Sequence, residues 1–260
     1  MTQPRLLVIS ALDPSGGAGT LMDLQVGRAA GARVVAAITA LTVQGPQGVR
    51  AVHAVDSKVL SAQLDTLAQE LPLGAVKIGA LAGEANVRVV SNFLHSVPKL
   101  PVVVDPVIRP TRGVPLLEPE AVTELARKLL PLATLVTPNL REAEELTGEK
   151  IADDTSIVKA GKLLLDMMGE GDKWALIKGG HLPGNPVDVM VSNRGRLRRY
   201  RSQRLPGEFR GTGCALASAI AAGLSIGKSV PDAVKKARKM LIGWMDKAPH
   251  PPGAPRCLCP

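Results

Sequence analysis

Aromatic residues are scarce in this sequence, which has only two Phe, two Trp and one Tyr. Proteins that bind single-stranded nucleic acid usually stack bases on aromatic side chains, and five residues cannot form an extended platform. The net charge of +9 nevertheless favours an anionic partner. The densest basic segment, 194–204, holds six Arg whose alternation is typical of a strand with a solvated face, so we expect no nucleic-acid binding.

Cysteine and long apolar runs are also scarce. The three cysteines are Cys214, Cys257 and Cys259, an odd and sparse set that argues against a disulfide framework and predicts a reducing, cytoplasmic environment. The last two have no second pair to complete a zinc site. The run Val34–Leu41 is far shorter than the roughly 20 residues of a membrane helix, and the N-terminal pattern is not that of a secretory signal. We expect no membrane association.

Short apolar runs alternate with helical patterns along most of the 260 residues. The predicted strands are Arg5–Ser10, Val34–Thr39, Ala75–Ile78, Pro101–Val104, Thr134–Thr137 and Trp174–Ile177, followed by a hairpin of Asp188–Ser192 and Arg196–Ser202. The predicted helices are Gly19–Ala30, Ser57–Glu70, Ala85–Val97, Pro119–Leu130, Leu140–Thr147, Ser156–Met168, Thr212–Gly223 and Val230–Lys247. This alternation predicts an α/β fold with a mainly parallel central sheet covered on both faces. We expect one domain over residues 1–248 and a frayed, Pro-rich tail over 249–260.

The helix that opens at Gly211-Thr212-Gly213-Cys214 carries the first candidate site. Ligands of such sheets bind beyond the carboxyl ends of the strands. Glycines before a helix let backbone N–H groups converge on one point, where the helix N-terminus adds positive potential. The segment therefore predicts an anion hole, and the same field should favour a Cys214 thiolate able to act as a base near neutral pH. The alternative is a plain helix start with a small buried cysteine.

A glycine-rich loop follows the first strand. It runs over Asp13–Gly19, and its glycines allow close backbone approach to a ligand. Asp23 lies one helical turn past Gly19 and is expected to face back toward the strand ends, whereas Leu21 and Leu24 are expected to face the core together with Ala29. The alternative is a flexible turn with a solvated Asp.

Hard oxygen donors follow two further strands. Asn139 and Glu142 share one helix face, and Asp105 ends another strand. Such groups suit Mg²⁺, which keeps several waters and takes few direct protein ligands. A capping box competes for the same pair, with Asn139 as N-cap and Glu142 three residues on. Lys178, after a third strand, supplies a point charge for phosphate.

Six segments in order now give a resemblance to a known family. They are Ser15–Gly19 with Asp23, Ile38–Gln44, Val103–Val107, Thr137–Glu142, Ile177–His181 and Gly211–Cys214. Together they resemble the hydroxymethylpyrimidine/phosphomethylpyrimidine kinases of thiamine biosynthesis, within the ribokinase-like superfamily. The resemblance covers about residues 5–248.

This resemblance implies a three-layer α/β/α sandwich that forms a homodimer. It also implies ATP-dependent phosphorylation of 4-amino-5-hydroxymethyl-2-methylpyrimidine and then of its monophosphate, with ATP and Mg²⁺ as cofactors. Three alternatives remain: a pyridoxal kinase, a catalytically idle ligand-binding homologue, and a nucleic-acid-binding protein whose affinity would fall steeply with salt.

The resemblance also implies roles for individual residues. The implied catalytic residues are Cys214 as base with Gly211, Thr212 and Gly213 as the anion hole. The implied pyrimidine-binding residues are Gly16, Gln44 and Val107, with Asp23 at the edge of the pocket. The implied nucleotide and metal residues are Asn139, Lys178 and Arg112 near the ATP phosphates, with Asp105 and Glu142 organising Mg²⁺.

Some positions depart from the family pattern. Arg210 stands where His is usual, Ala215 where Thr is usual, and Gly45 where Asn is usual. Arg112 lies in a segment that usually ends Lys-Ser-Gly. Its forked guanidinium group would replace the Lys as a phosphate anchor. Ala80 stands where Met is common and predicts a roomier pocket.

Overall fold

The computed structural model describes residues 4–180, 184–249, 254–258 and 260. The strands of its main sheet are β1 (Arg5–Leu12), β2 (Arg33–Gly45), β3 (Gly48–Ala54), β4 (Leu73–Ile78), β5 (Val102–Val104), β6 (Leu135–Val136), β7 (Trp174–Ile177), β8 (Val187–Ser192) and β9 (Leu197–Arg201). Their order in space is β3-β2-β1-β4-β5-β6-β7-β8-β9. The six adjacent strands β2, β1, β4, β5, β6 and β7 pair in parallel. At one edge β3 pairs antiparallel with β2, and at the other edge β8 pairs antiparallel with β7 and β9 with β8. The mainly parallel sheet and the β8–β9 hairpin are confirmed.

Helices cover both faces of the sheet. They are α1 (Gly19–Ala29), α2 (Ser57–Glu70), α3 (Glu84–Ser96), α4 (Pro119–Glu124, continued by a wider π-helical turn over Leu125–Leu129 and a 3₁₀ turn over Leu130–Leu132), α5 (Leu140–Thr147), α6 (Asp154–Met168), α7 (Thr212–Ser225) and α8 (Val230–Lys247). Leu60, Val90 and Leu164 belong to the buried cluster under α2 to α6. Met22 and Ile220 belong to the cluster on the opposite face, under α1, α7 and α8. The predicted three-layer α/β/α sandwich is confirmed.

Helix α1 is rotated relative to the sequence-based expectation. Its buried positions include Met22, Asp23 and Val26, whereas Leu21 and Leu24 are only partly buried and Ala29 is exposed. Apolar residues lie on both sides of this helix, so periodicity alone does not choose between the two faces. The helix turns toward the core because Asp23 forms an ion pair there, as described below.

The β2–β3 hairpin extends beyond the rest of the sheet. Strand β2 continues to Gly45, although its register with β1 ends where Leu12 pairs with Leu41. From there to its tip, β2 pairs only with β3, an edge strand that the sequence analysis did not predict. The hairpin therefore stands over the carboxyl ends of β1 and β4.

The end of the chain is folded back onto the domain. Arg256–Cys257 forms β11, which pairs in parallel with β10 (Phe209–Arg210), directly before α7. Arg256 is buried, and its guanidinium donates to the carbonyl oxygens of Ala248 and Asp246. The expectation of a frayed end is wrong for 254–258, because these carbonyls compensate the buried charge.

The basic segment near residue 200 forms the edge strand β9, and most of its residues are exposed, as expected for a solvated face. Arg199 forms an ion pair with Asp154, and Arg196 lies 5.6 Å from the ring centroid of Trp174. Among the helices in the described ranges, none has the length and apolar character needed to cross a membrane.

Candidate active site

The loop before α7 lies directly against the glycine loop after β1. Gly211 caps the helix with a φ of 77°, a left-handed conformation that favours glycine. A Cβ added to Gly211 would lie 2.2 Å from the carbonyl oxygen of Gly17. Only glycine allows this approach, which joins the two loops that the sequence analysis assigned to phosphate and acceptor.

Cys214 lies in the first turn of α7, where the backbone N–H of Gly19 donates a hydrogen bond to its sulfur. Burial raises the pKa of the thiol to about 11, and the positive charge of Lys77 only partly opposes this rise. The expected lowering of the Cys214 pKa is therefore wrong for the ligand-free protein, because desolvation outweighs the field of the helix N-terminus.

Lys178 and Asp105 form an ion pair beside the anion hole. The Nζ of Lys178 lies 2.8 Å from Oδ1 of Asp105, and the hydroxyl of Thr137 donates to the same oxygen at 3.2 Å. A Cβ added to Gly213 would lie 3.0 Å from the Lys178 Nζ. Although burial alone would lower the pKa of Lys178, the carboxylates of Asp105 and Glu142 raise it, so the ammonium is charged.

Asn139 and Glu142 form a capping box, the arrangement that the sequence offers as the alternative to Mg²⁺ binding. The Asn139 side chain accepts from the Glu142 N–H at 3.0 Å, and the Glu142 carboxylate accepts from the Asn139 N–H at 2.7 Å. Desolvation raises the pKa of Glu142 to about 7; Asp105 adds to the rise and Lys178 opposes it. The capping box holds the carboxylate next to Asp105 and Lys178, so capping and ligand binding do not exclude each other.

A buried ion pair below Cys214 was missed by the sequence analysis. The Nζ of Lys77, on β4, lies 2.8 Å from Oδ2 of Asp23, and both side chains are fully buried. Ser218, one turn past Cys214, donates to Oδ1 of Asp23 at 2.7 Å. Asp23 therefore supports α7 from below and does not border a pocket. A lysine inside an apolar strand was the signal that could have identified the pair.

The implied acceptor residues belong to the glycine loop, the β2–β3 hairpin and the segment after β5. Gly16 has a φ of 71°, and no atom lies within 4 Å of a Cβ added to it, so space is open beside this residue. Val107 packs against a small cluster that contains Ala80 and Ala82. At the hairpin, the Thr42 hydroxyl lies 3.0 Å from Oε1 of Gln44.

Arg112 is placed differently from the other implied residues. Arg112 is half exposed, and its guanidinium lies 2.8 Å from Glu208, on the segment before β10. Its role as a phosphate anchor stays a prediction that requires this pair to open. His181, the last residue of one sequence segment, lies outside the described residues.

The structure thus brings together the Cys214 loop, the Lys178–Asp105 pair and Glu142 at the carboxyl ends of the parallel strands. The chain matches the family model described as phosphomethylpyrimidine kinase over residues 13–252. It is 37% identical over 244 residues to the hydroxymethylpyrimidine/phosphomethylpyrimidine kinase of Streptomyces coelicolor, covering 94% of this chain and 89% of that protein. The chain belongs to the phosphomethylpyrimidine kinase family. The family inferred from the six sequence segments is confirmed, and with it a phosphotransferase.

Solved structures of two vitamin kinases share the fold of this chain. The phosphomethylpyrimidine kinase from Clostridium difficile 630 superimposes with a TM-score of 0.82 at 35% identity, covering 93% of this chain and 99% of that one. The pyridoxal kinase from Staphylococcus aureus, solved in complex with AMP-PCP and pyridoxal, gives a TM-score of 0.88 at 25% identity, covering 100% and 94%. The ribokinase-like fold inferred from the sequence is confirmed.

Proposed function

We propose that this protein transfers the terminal phosphoryl group of ATP to 4-amino-5-hydroxymethyl-2-methylpyrimidine and then to the resulting monophosphate, in thiamine biosynthesis. One observation carries the proposal: the anion-hole loop, through Gly213, packs on the Lys178–Asp105 pair. A phosphoryl group at this point would contact backbone N–H groups of 211–214 and the Lys178 ammonium together. Phosphoryl transfer needs this kind of positioning and charge neutralisation more than it needs covalent chemistry.

Mg²⁺ fits the carboxylates beside this loop. Asp105 and Glu142 offer hard oxygen donors, and Asp105 keeps its second oxygen, Oδ2, free of the Lys178 contact. Within the described ranges, no group of three His, Cys, Asp or Glu side chains is placed to hold a metal. We propose that Asp105 and Glu142 hold the ion together with water and substrate phosphates, where it supplies positive charge. Asn139, Lys178 and Arg112 would then lie on the nucleotide side.

Cys214 is the proposed base for the first reaction. In that reaction the acceptor hydroxyl oxygen bonds to phosphorus, the bond from phosphorus to the leaving ADP oxygen breaks, and the hydroxyl proton passes to the thiolate. The raised pKa of about 11 makes the thiolate scarce at neutral pH, so the first phosphorylation should accelerate as the pH rises. The second acceptor is already a phosphate anion and needs little base assistance.

Product analysis tests this function directly. The protein is incubated with ATP, Mg²⁺ and the hydroxymethylpyrimidine, and mass spectrometry should find the monophosphate followed by the diphosphate. In single-turnover assays, Cys214→Ala should slow the first transfer more than the second. Equal losses in the two transfers would contradict the base role, and an absence of both products would contradict the pyrimidine assignment.

Pyridoxal is the second candidate acceptor, and two observations favour keeping it. The S. aureus pyridoxal kinase aligns over the whole chain, and Ala80 and Ala82, in the cluster against which Val107 packs, are small side chains that permit a larger acceptor. A coupled ATPase assay with both acceptors decides between them through the ratio of kcat/KM. Nucleotide or acceptor binding without turnover would instead indicate a catalytically idle homologue.

We also propose a homodimer in the cytoplasm. Leu41 and Val43 are exposed on one face of the β2–β3 hairpin and would be covered by a second copy. The two cysteines in the described ranges, Cys214 and Cys257, are free, as expected for a reducing compartment. Light scattering of the wild type and of Leu41→Asp tests the dimer, which the charge should dissociate.

A further inference from the structure

Arg210 joins the two loops of the candidate site from a position directly before the anion hole. It is the last residue of β10, and Gly211 follows it. Its guanidinium lies 2.6 Å from Oδ2 of Asp13 and donates to the Ser15 hydroxyl at 3.0 Å. Both members of the ion pair are nearly buried, with 12% of the Arg210 side chain and 2% of the Asp13 side chain exposed. A pair this sheltered is held far more firmly than a surface ion pair.

The same guanidinium also reaches the tip of the β2–β3 hairpin. It donates to the carbonyl oxygen of Gly45, the last residue of β2, at 2.8 Å. One side chain therefore connects the glycine loop after β1, the hairpin tip and the start of the anion hole. The planar fork of arginine makes these simultaneous contacts possible, whereas lysine offers a single point charge.

The hairpin tip is also attached to the segment 112–114, on its β3 side. Past Leu41 it is a two-stranded ribbon, and such ribbons are marginally stable alone in water. Below the tip, the Thr42 hydroxyl donates to the carbonyl of Leu12 at 2.9 Å. At the tip, the Val49 N–H donates to the carbonyl of Arg112 at 3.1 Å, and the Val49 carbonyl accepts from the Val114 N–H at 3.0 Å. The Thr42 bond holds the base of the ribbon, the Val49 bonds hold the β3 side of its end, and the Arg210 contact holds the β2 side at Gly45.

We propose that Arg210 is a latch that holds the β2–β3 hairpin closed over the acceptor pocket and aligns that closure with the anion hole. This inference rests on the proposed function, because Gly16 and Gln44 border the pocket between these segments. Arg210 is a positioning residue here: it fixes the backbone around the acceptor and need not touch the reacting atoms. Releasing the latch should weaken acceptor binding and leave nucleotide binding largely unchanged.

A different role for Arg210 would be to bind the phosphate of the phosphorylated acceptor. The structure favours the latch, because the guanidinium is already paired with Asp13 and with two oxygen acceptors. A phosphate would have to replace these partners. The two roles differ in which acceptor is affected, since a latch acts on both acceptors and a phosphate ligand only on the second.

Hydrogen exchange of the ligand-free protein tests the latch without any assumption about the substrate. In Arg210→Ala and Arg210→Lys, the backbone amides of residues 43–49 should exchange about tenfold faster, as expected when charge-assisted hydrogen bonds are lost. Arg199→Ala is the control, because it removes a forked Arg–Asp pair between β9 and α6, away from the hairpin. Unchanged exchange at the tip in Arg210→Lys would overturn the latch. This variant decides the question even if Arg210→Ala fails to fold.

Steady-state kinetics then test the consequence for the reaction. In Arg210→Lys, the KM of each pyrimidine acceptor should rise about tenfold, whereas kcat and the KM of ATP should change less than about twofold. A loss confined to the phosphorylated acceptor, or a loss in kcat alone, would overturn the latch. A wild-type protein that phosphorylates neither acceptor would contradict the proposed function, and hydrogen exchange would still decide the latch.

Discussion

Lys77 and Asp23 form a fully buried ion pair whose Nζ and Oδ2 atoms lie 2.8 Å apart. Although burial alone would lower the pKa of Lys77, the Asp23 carboxylate reverses that effect and the pKa is raised, so the lysine is charged. Ser218 extends the pair to α7 by donating to Asp23. The pair therefore ties α1, β4 and α7 together. Its two charges act in opposite directions on the pKa of the Cys214 thiol, which burial raises, Lys77 lowers and Asp23 raises.

Removing one partner of this pair should be strongly destabilising. Lys77→Met leaves the Asp23 carboxylate buried without its counter-charge, and we expect the free energy of unfolding to fall by about 3–5 kcal/mol. The double variant Lys77→Met with Asp23→Asn removes both charges and should recover part of this loss. Urea unfolding of the wild type, both single variants and the double variant measures the coupling. If the single-variant losses simply add in the double variant, the pair is not a coupled unit.

The Cys214 thiol should ionise only at high pH. Because its pKa is raised to about 11, the thiolate fraction at a given pH is smaller than for an ordinary cysteine, and it should increase about tenfold per pH unit between pH 8 and 10. Iodoacetamide alkylation followed by mass spectrometry measures this increase. The measurement uses a protein that carries Cys257→Ser and Cys259→Ser, so that one cysteine remains. A rate that levels off near pH 8 would show that the helix N-terminus prevails over desolvation.

Much of the candidate site was predictable because strand ends are visible in the sequence. Asp105 and Lys178 each follow a short apolar run, and parallel strands bring such ends to one edge of the sheet. The glycines before Cys214 likewise predict a close approach of two backbone segments, which the structure shows between Gly211 and Gly17. These inferences need only local pattern and a general rule of topology.

The remaining features depend on contacts between distant parts of the chain. Lys77 and Asp23 are 54 positions apart, and the local sequence around either residue does not show that the opposite charge is buried beside it. The same is true of β11, where Arg256 pairs with a strand almost 50 residues earlier. The raised pKa of Cys214 was missed because the helix field is local, whereas desolvation is set by everything packed around the thiol.

Glu142 should make the metal-free protein less stable as the pH rises. Its pKa is raised from 4.5 to about 7, so the protonated form is favoured by folding. The corresponding stability is fully present below pH 4.5 and is lost as the pH rises through about 7, a change on the order of 3 kcal/mol. Glu142→Gln keeps an acceptor for the Asn139 N–H but cannot ionise, so it should be more stable than the wild type at pH 8 and similar at pH 4.5.

Urea unfolding at a series of pH values, without Mg²⁺ or nucleotide, measures this difference. Asp153→Asn is a control of opposite sign, because Asp153 caps α6 and its hydrogen bonds to Ser156 lower its pKa. That variant should lose stability relative to the wild type as the pH rises above the Asp153 pKa. A pH-independent difference between Glu142→Gln and the wild type would contradict the raised pKa of Glu142.

The C-terminal segment should stabilise β10, the strand that ends at Arg210 directly before the anion-hole loop. Arg256 donates to the Ala248 carbonyl through Nε at 2.9 Å and lies 4.7 Å from the ring centroid of Phe209. Arg256→Ala would leave the carbonyl of the buried Ala248 without this donor, at a cost of about 1–3 kcal/mol, whereas Arg199→Ala removes an exposed ion pair and should cost less than about 1 kcal/mol. Thermal and urea unfolding compare the two variants, and hydrogen exchange at residues 209–214 locates the effect. Equal stability losses, or unchanged exchange in this segment, would mean that the tail covers β10 without supporting it.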